Sequence, residues 1–155
     1  QQQPKQLTAE DYKNRGDAKE EKGDFDGAID DYQKSIEINP YDPFVYRDCG
    51  LVRKGNKDFE GAISDFSKAI EIDPKYAWAY KNRGLTKGKH LGDLHGAIVD
   101  YTLAIKIDPL DANGYWMRGI FKKELKDLKG TFEDWKKAAV LGDEDAAKLL
   151  EEHCQ

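Results

Sequence analysis

Three histidines, two cysteines and a surplus of acids are the residues of this chain best suited to bind a metal or attack a substrate. His90 and His95 stand five residues apart across an expected turn, with no Cys or acidic cluster at zinc-site spacing beside them. His153 and Cys154 offer two neighbouring ligands where a structural zinc site takes four. No order of Ser, His and Asp marks a triad. The segment KGKHLGDLHG contains glycines but does not match a phosphate-binding loop. Each Asp or Glu has a place as a helix cap or on a solvated face. The expectation is therefore no metal, no cofactor and no enzymatic role. Cys49 is expected to be a buried free thiol, too far from Cys154 to be bridged.

Composition narrows the remaining classes. The 155 residues carry 25 Lys+Arg and 30 Asp+Glu, a formal net charge of −5. Charged residues make up 35% of the chain, and mean hydropathy is −0.83. No apolar run approaches the roughly 20 residues of a spanning helix, so no membrane role is expected. The acidic total argues against nucleic acid as a partner. Two cysteines cannot make a disulfide scaffold. The first residue is Gln, and QQQPKQL has no signal-peptide core. It reads either as the start of a truncated chain or as a processed terminus, so the compartment stays open.

What positions the side chains is a repeat. Tyr12, Tyr46, Tyr80 and Tyr115 recur at steps of 34, 34 and 35. Gly16, Gly50, Gly84 and Gly119 follow four residues later at the same steps. Ala28, Ala62, Ala97 and Thr131 form another column, and Tyr32, Phe66, Tyr101 and Trp135 a fourth. Pro40, Pro74 and Pro109 close the first three units. The chain thus divides into a leader (1–8), units 9–42, 43–76, 77–111 and 112–142, and a tail (143–155).

Each unit reads as two helices. The first opens near Pro43, Tyr76 or Leu110, with Asp42 as a cap and Pro43 at the first helical position. It ends near Gly23, Gly55 or Gly92, where glycine can adopt the left-handed C-cap conformation. The second follows Asp24, Asp58, Asp93 or Asp127, an acid able to accept from free backbone N–H groups. It stops before Asn39-Pro40, Asp73-Pro74 or Asp108-Pro109, because the residue before proline disfavours the α region. Gly16 is expected to face the Ala28 column, and Thr131 to widen the last hairpin. An extra residue near His90 predicts a bulge or an added turn. The tail predicts one more helix, capped by Asp143, with Ala146, Ala147, Leu149 and Leu150 on its apolar face.

These columns resemble the tetratricopeptide repeat, a 34-residue helix–turn–helix unit. The resemblance covers residues 9–142. It implies an all-α, right-handed α-solenoid of antiparallel hairpins, whose first helices line a concave groove that holds a peptide or helix of another protein. Carried onto this sequence, the groove face holds Lys13, Arg47, Lys81 and Trp116 in one row. Asp17, Leu51, Leu85 and Ile120 form a second, and Glu10, Phe44, Trp78 and Asn113 a third. The proposed groove set is Lys13, Phe44, Arg47, Leu51, Trp78, Lys81, Leu85, Trp116 and Ile120. Phe44 and Trp78 read either as apolar anchors for a partner or as contacts to a neighbouring repeat. One subfamily clamps the C-terminal carboxylate of chaperones. The matching positions are Lys13, Asp17, Asp48, Trp78 and Asn82; only Lys13 fits, so that ligand is not expected.

The sequence departs from the family where leucine usually precedes the signature glycine. Here stand Arg15, Cys49, Arg83 and Arg118, while Asp31, Asp65, Asp100 and Asp134 form an acidic column. The arginines either pair with these aspartates or lay their stems over the core. In the second unit Asp65 needs another donor or must stay solvated. Charge runs from −6 in residues 9–42 to +3 in 112–142, and −4 in the tail. This is ordinary solvated surface, or a gradient that orients a ligand or drives head-to-tail contact. The expected partner is a protein or peptide, with the chain a monomer or weak homo-oligomer; self-assembly is the alternative function.

Overall fold

The computed structural model describes residues 6–153. Residues 1–5 of the expected leader lie outside the described residues, as do Cys154 and the side chain of His153. The chain divides into two compact units, Gln1–Pro74 and Lys75–Gln155.

The first unit contains α1 (Ala9–Glu21), α2 (Phe25–Ile38), α3 (Pro43–Gly55) and α4 (Phe59–Ile72), each packed on the next. Thr8 opens α1 through a capping box. Its backbone N–H donates to Asp11 Oδ2 at 2.9 Å, and Asp11 N–H returns to Thr8 Oγ1 at 3.1 Å. Asp24 and Asp58 cap α2 and α4, accepting from the N–H of Gly27 and Gly61 at 3.0 Å in both. The core holds Ala28, Tyr32, Val45, Cys49 and Val52, flanked by Ile29 and Ile36.

The second unit contains α5 (Ala77–Leu91), α6 (Leu94–Ile107), α7 (Ala112–Glu124), α8 (Leu128–Val140) and α9 (Glu144–His153), packed in sequence. Asp93 and Asp127 cap α6 and α8 as their counterparts do. Asp143 accepts from Ala146 N–H at 2.8 Å and starts α9. One core cluster gathers Ala97, Tyr101 and Phe121. A second gathers Trp135, Ala138 and Ala146, the last from α9. Among the described residues every regular element is helical.

Two local expectations change and a third is resolved. In three of the four first helices the signature glycine meets the aromatic column most closely, whereas Gly84 meets Asp100, Tyr101 and the Ala97 carbonyl together. A Cβ on Gly16 would stand 2.6 Å from Tyr32 Cε1, on Gly50 2.7 Å from Phe66 Cε1, and on Gly119 2.5 Å from Trp135 Nε1. The bare backbone is the floor on which the flat ring lies. The left-handed residue is the cap itself in α5, at Gly92 with φ of 71°, and falls one step past the cap of α1, α3 and α7, at Gly23, Lys57 and Lys126 with φ of 78°, 64° and 66°. Gly55 is instead the last residue of α3. The additional residues near His90 lengthen α5 to 15 residues, against 13 in α1, α3 and α7.

The arginine column pairs with the acidic column. Arg15 grips Asp31 through Nε (2.8 Å) and Nη2 (2.6 Å), and Arg83 grips Asp100 at 3.0 and 2.6 Å. Arg118 does the same to Asp134 at 2.8 and 2.6 Å. Such two-pronged bonds fix the register of one helix on the other. A lysine four residues on adds a second cation in each case: Lys19 at 2.8 Å, Lys87 at 3.0 Å and Lys122 at 2.9 Å. The arginines also lie over Tyr12, Tyr80 and Tyr115 at 5.0, 5.6 and 5.8 Å from the ring centroids. In the second repeat Cys49 removes the arginine, and Arg53, at the lysine position, lies 3.2 Å from Asp65.

Thr131 is buried, and its hydroxyl lies 2.8 Å from Asp127 O and 3.3 Å from Gly119 O. The polar atom that breaks the alanine column is therefore satisfied within the hairpin.

Candidate functional site

On the first unit, α1 and α3 present Lys13, Phe44, Arg47 and Leu51. Lys13 and Arg47 converge on one buried acid: Asp48 is 3.3 Å from Lys13 Nζ and 2.7 Å from Arg47 Nε. Lys13 also donates to Asp17 at 2.9 Å. Burial opposes the ammonium charge, but the bond to Asp17 and the charge of Asp48 outweigh it, so the Lys13 pKa lies above its ordinary value. These residues line a cavity of about 520 Å³ with Glu20, Glu21 and Phe25. The buried Tyr32 donates its hydroxyl to two of the lining acids, Asp17 Oδ1 at 2.8 Å and Glu20 Oε2 at 2.9 Å. Burial, then the two carboxylates, pushes the Tyr32 pKa up. Phe44 is 49% exposed with the Arg47 guanidinium 5.3 Å from its ring centroid, and Leu51 is half-buried.

On the second unit, α5 and α7 present Trp78, Lys81, Leu85, Trp116 and Ile120. Trp78 is half-buried and stacks on Tyr76 at 5.9 Å. Lys81 donates at 2.6 Å to Asp111, the acid that also caps α7. Leu85 packs on the Ala97–Tyr101–Phe121 cluster. Trp116 stacks on Trp135 at 5.2 Å. With Ile120 it packs on the cluster that also receives Leu149 and Leu150 of α9. A cavity of about 540 Å³ is lined by Trp116, Ile120, Leu128, Trp135 and Leu149 among others. A smaller one of about 290 Å³ adjoins it, lined by Leu85, Met117 and Phe121, with Ile120 and Glu124 common to both.

The basic row of Lys13, Arg47 and Lys81 thus meets acids of its own chain, which the spacing alone did not reveal. Lys123, Leu128 and Leu149, which line the larger cavity of the second unit, were also missed. Lys123 follows Ile120 by three residues and Trp116 by seven, the helical signal that could have found it. Leu128 and Leu149 come from other helices, and no periodicity within α7 reaches them.

Among the described residues no group of three or more His, Cys, Asp or Glu could hold a metal ion. Cys49 is buried, and burial together with the Asp65 charge pushes its thiol up to about 12, far from a reactive thiolate. No described helix is long and apolar enough to cross a membrane.

The tetratricopeptide repeat family model matches residues 9–42, and a second repeat model of that family matches 56–90. No curated protein matches the chain. Among solved structures, a MamA protein aligns with TM-score 0.80 at 25% identity, over 86% of this chain and 72% of that one. MamA from Desulfovibrio magneticus RS-1 aligns with TM-score 0.78 at 20% identity, over 86% and 75%. The first TPR of Spaghetti (RPAP3), bound to the HSP90 peptide SRMEEVD, aligns with TM-score 0.71 at 26% identity, over 77% and 94%. Repeat spacing, capped hairpins, family matches and structural neighbours agree: the chain is a tetratricopeptide-repeat protein.

Proposed function

We propose that this chain is a non-enzymatic interaction scaffold that binds a peptide or helical segment of a partner protein on the groove face of its first helices. The observation that carries this reading is the set of apolar side chains left accessible there. Phe44 is half-exposed and outside its unit's core cluster, while Trp116 and Ile120 line an open cavity. Accessible aromatics beside cations are the usual makings of a binding hot spot. Leu51 on the first unit, and Trp78 and Leu85 on the second, add half-buried apolar side chains, and Lys13, Arg47 and Lys81 supply polar contacts that share their present acids with a ligand. The peptide-bound neighbour supports a peptide as the class of ligand. A chaperone C-terminus is not the ligand inferred, because Asp17 and Asp48 flank Lys13 and repel a carboxylate.

Affinity capture tests the reading, comparing the parent with a Phe44→Ala, Trp78→Ala variant. Loss of the captured partner from the variant supports it; undiminished capture contradicts it.

A second reading, self-assembly, rests on the segregation of charge: −6 in residues 9–42 against +3 in 112–142. Complementary ends of that kind favour head-to-tail contact. Light scattering over a concentration series decides it, since a strict monomer at high concentration rules it out.

A further inference from the structure

The two cavities of the second unit form one apolar trough, from Leu85 and Met117 through Ile120 to Trp116, Leu128 and Leu149. Its charges differ from those of the basic row. Lys13, Arg47 and Lys81 are held by Asp17, Asp48 and Asp111. Lys89, Lys123 and Lys126 line the trough, and none of them forms an ion pair among the described residues. Lys123 instead lies over the Trp135 ring, 5.4 Å from its centroid. Glu124 is the single acid of the lining. The trough is apolar at its centre and positive at its rim.

The protein already shows what such a surface accepts. Helix α9 carries Glu144, Asp145, Glu151 and Glu152 against Lys148, so it is acidic. It lays Ala146 into the core beside Trp135, with Leu149 and Leu150 packed alongside. An acidic amphipathic helix is therefore seated on the basic fourth repeat, and Leu149 forms one wall of the cavity that stays open beside it.

We propose that the trough beside α9 takes an acidic amphipathic segment of a partner protein, its apolar side chains against Trp116, Ile120 and Leu85 and its carboxylates on Lys89, Lys123 and Lys126. This rests on the interaction reading above and names the partner's chemistry. Neutral or basic segments of equal hydrophobicity leave three lysines unpaired or repelled, so charge supplies the discrimination. Because the lysines lie at the rim, they act mainly on association rate and salt dependence.

The test uses the full chain and three labelled 16-residue peptides with leucine at positions 3, 6, 7, 10 and 14. Their remaining positions are mostly Glu, mostly Gln or mostly Lys. Fluorescence anisotropy should show the Glu peptide binding at least ten-fold more tightly than the Gln peptide at low salt, with the margin shrinking as salt rises. The Lys123→Glu, Lys126→Glu variant should reverse the order, favouring the Lys peptide, with its circular dichroism unchanged. The salt series on the parent needs no variant, so a folding failure leaves a decisive readout. Equal binding of the Glu and Gln peptides overturns the proposal while leaving the interaction reading in place. No binding of any peptide, with capture still lost in the Phe44→Ala, Trp78→Ala variant, overturns the trough alone. No binding together with capture insensitive to that variant overturns both. Concentration-dependent self-association abolished by the lysine reversal assigns the trough to a second copy of the chain and also overturns it.

Discussion

Arg53 places Nη1 3.2 Å from Asp65 Oδ2 and so supplies the cation that Cys49 removes from the second hairpin. Elsewhere the equivalent aspartate takes an arginine and a lysine; here one cation stands alone, and Asp65 Oδ2 accepts no hydrogen bond. The same acid in the same fold therefore has opposite electrostatics. Burial pushes the Asp65 pKa up despite Arg53. The Arg15 guanidinium, helped by Lys19, holds Asp31 down at about 2.

Removing the sole cation should cost more than removing one of two. Arg53→Met leaves a buried carboxylate without a cation, a loss of about 3 kcal/mol by comparison with other broken buried pairs. Arg15→Met leaves Lys19 in contact with Asp31 and should cost less. Urea unfolding of the two variants checks this, and an equal loss would contradict it.

The two aspartates should respond to acid in opposite senses. The folded-state pKa of Asp31 is depressed, so its contribution is present above the ordinary carboxylate value and is lost as pH falls from about 4 towards about 2. Asp31→Asn should flatten that acid limb. The folded-state pKa of Asp65 is raised, so ionised Asp65 penalises folding at neutral pH and the penalty fades as pH falls. The stability difference between Asp65→Asn and the parent should shift in the parent's favour on acidification. Thermal melts from pH 7 to pH 2.5 measure both.

Glycine-to-alanine changes should differ in sign by position. At Gly16 an added methyl meets the Tyr32 ring, and overpacking of about 1–3 kcal/mol outweighs the gain of about 1 kcal/mol in helix propensity. At Gly55 nothing lies within 4 Å and the backbone is helical, so Gly55→Ala should stabilise by about 0.5 kcal/mol. A lowered melting temperature for the first and a raised one for the second is the expected pair.

The repeat was legible because each column is set by local packing or capping. Asp24, Asp58, Asp93 and Asp127 announce the start of a helix within three residues of the N–H they accept. The Arg15–Asp31 pairing was legible because two complementary columns recur in register. The lysine at the third corner was hidden because Lys19, Lys87 and Lys122 look like ordinary solvated charge until the hairpin closes. The ring that rests on Gly16 was misassigned because helical spacing gives a face, not a partner across it. On the candidate surface, Trp116 and Ile120 could be read from one helix, whereas Leu128 and Leu149 join them only through tertiary packing. The acids that hold Lys13, Arg47 and Lys81 include Asp111, thirty residues from Lys81, beyond any local pattern.

The central claim is that the groove face of the first helices carries binding. Its most direct test is calorimetric titration of the captured partner segment into three proteins: the parent, Phe44→Ala with Trp78→Ala, and Val99→Ser with Val140→Ser. The last pair alters exposed apolar residues on second helices. The account predicts at least ten-fold weaker binding to the groove variant and unchanged binding to the second-helix variant. Unchanged binding to the groove variant, with loss in the second-helix variant, would contradict it.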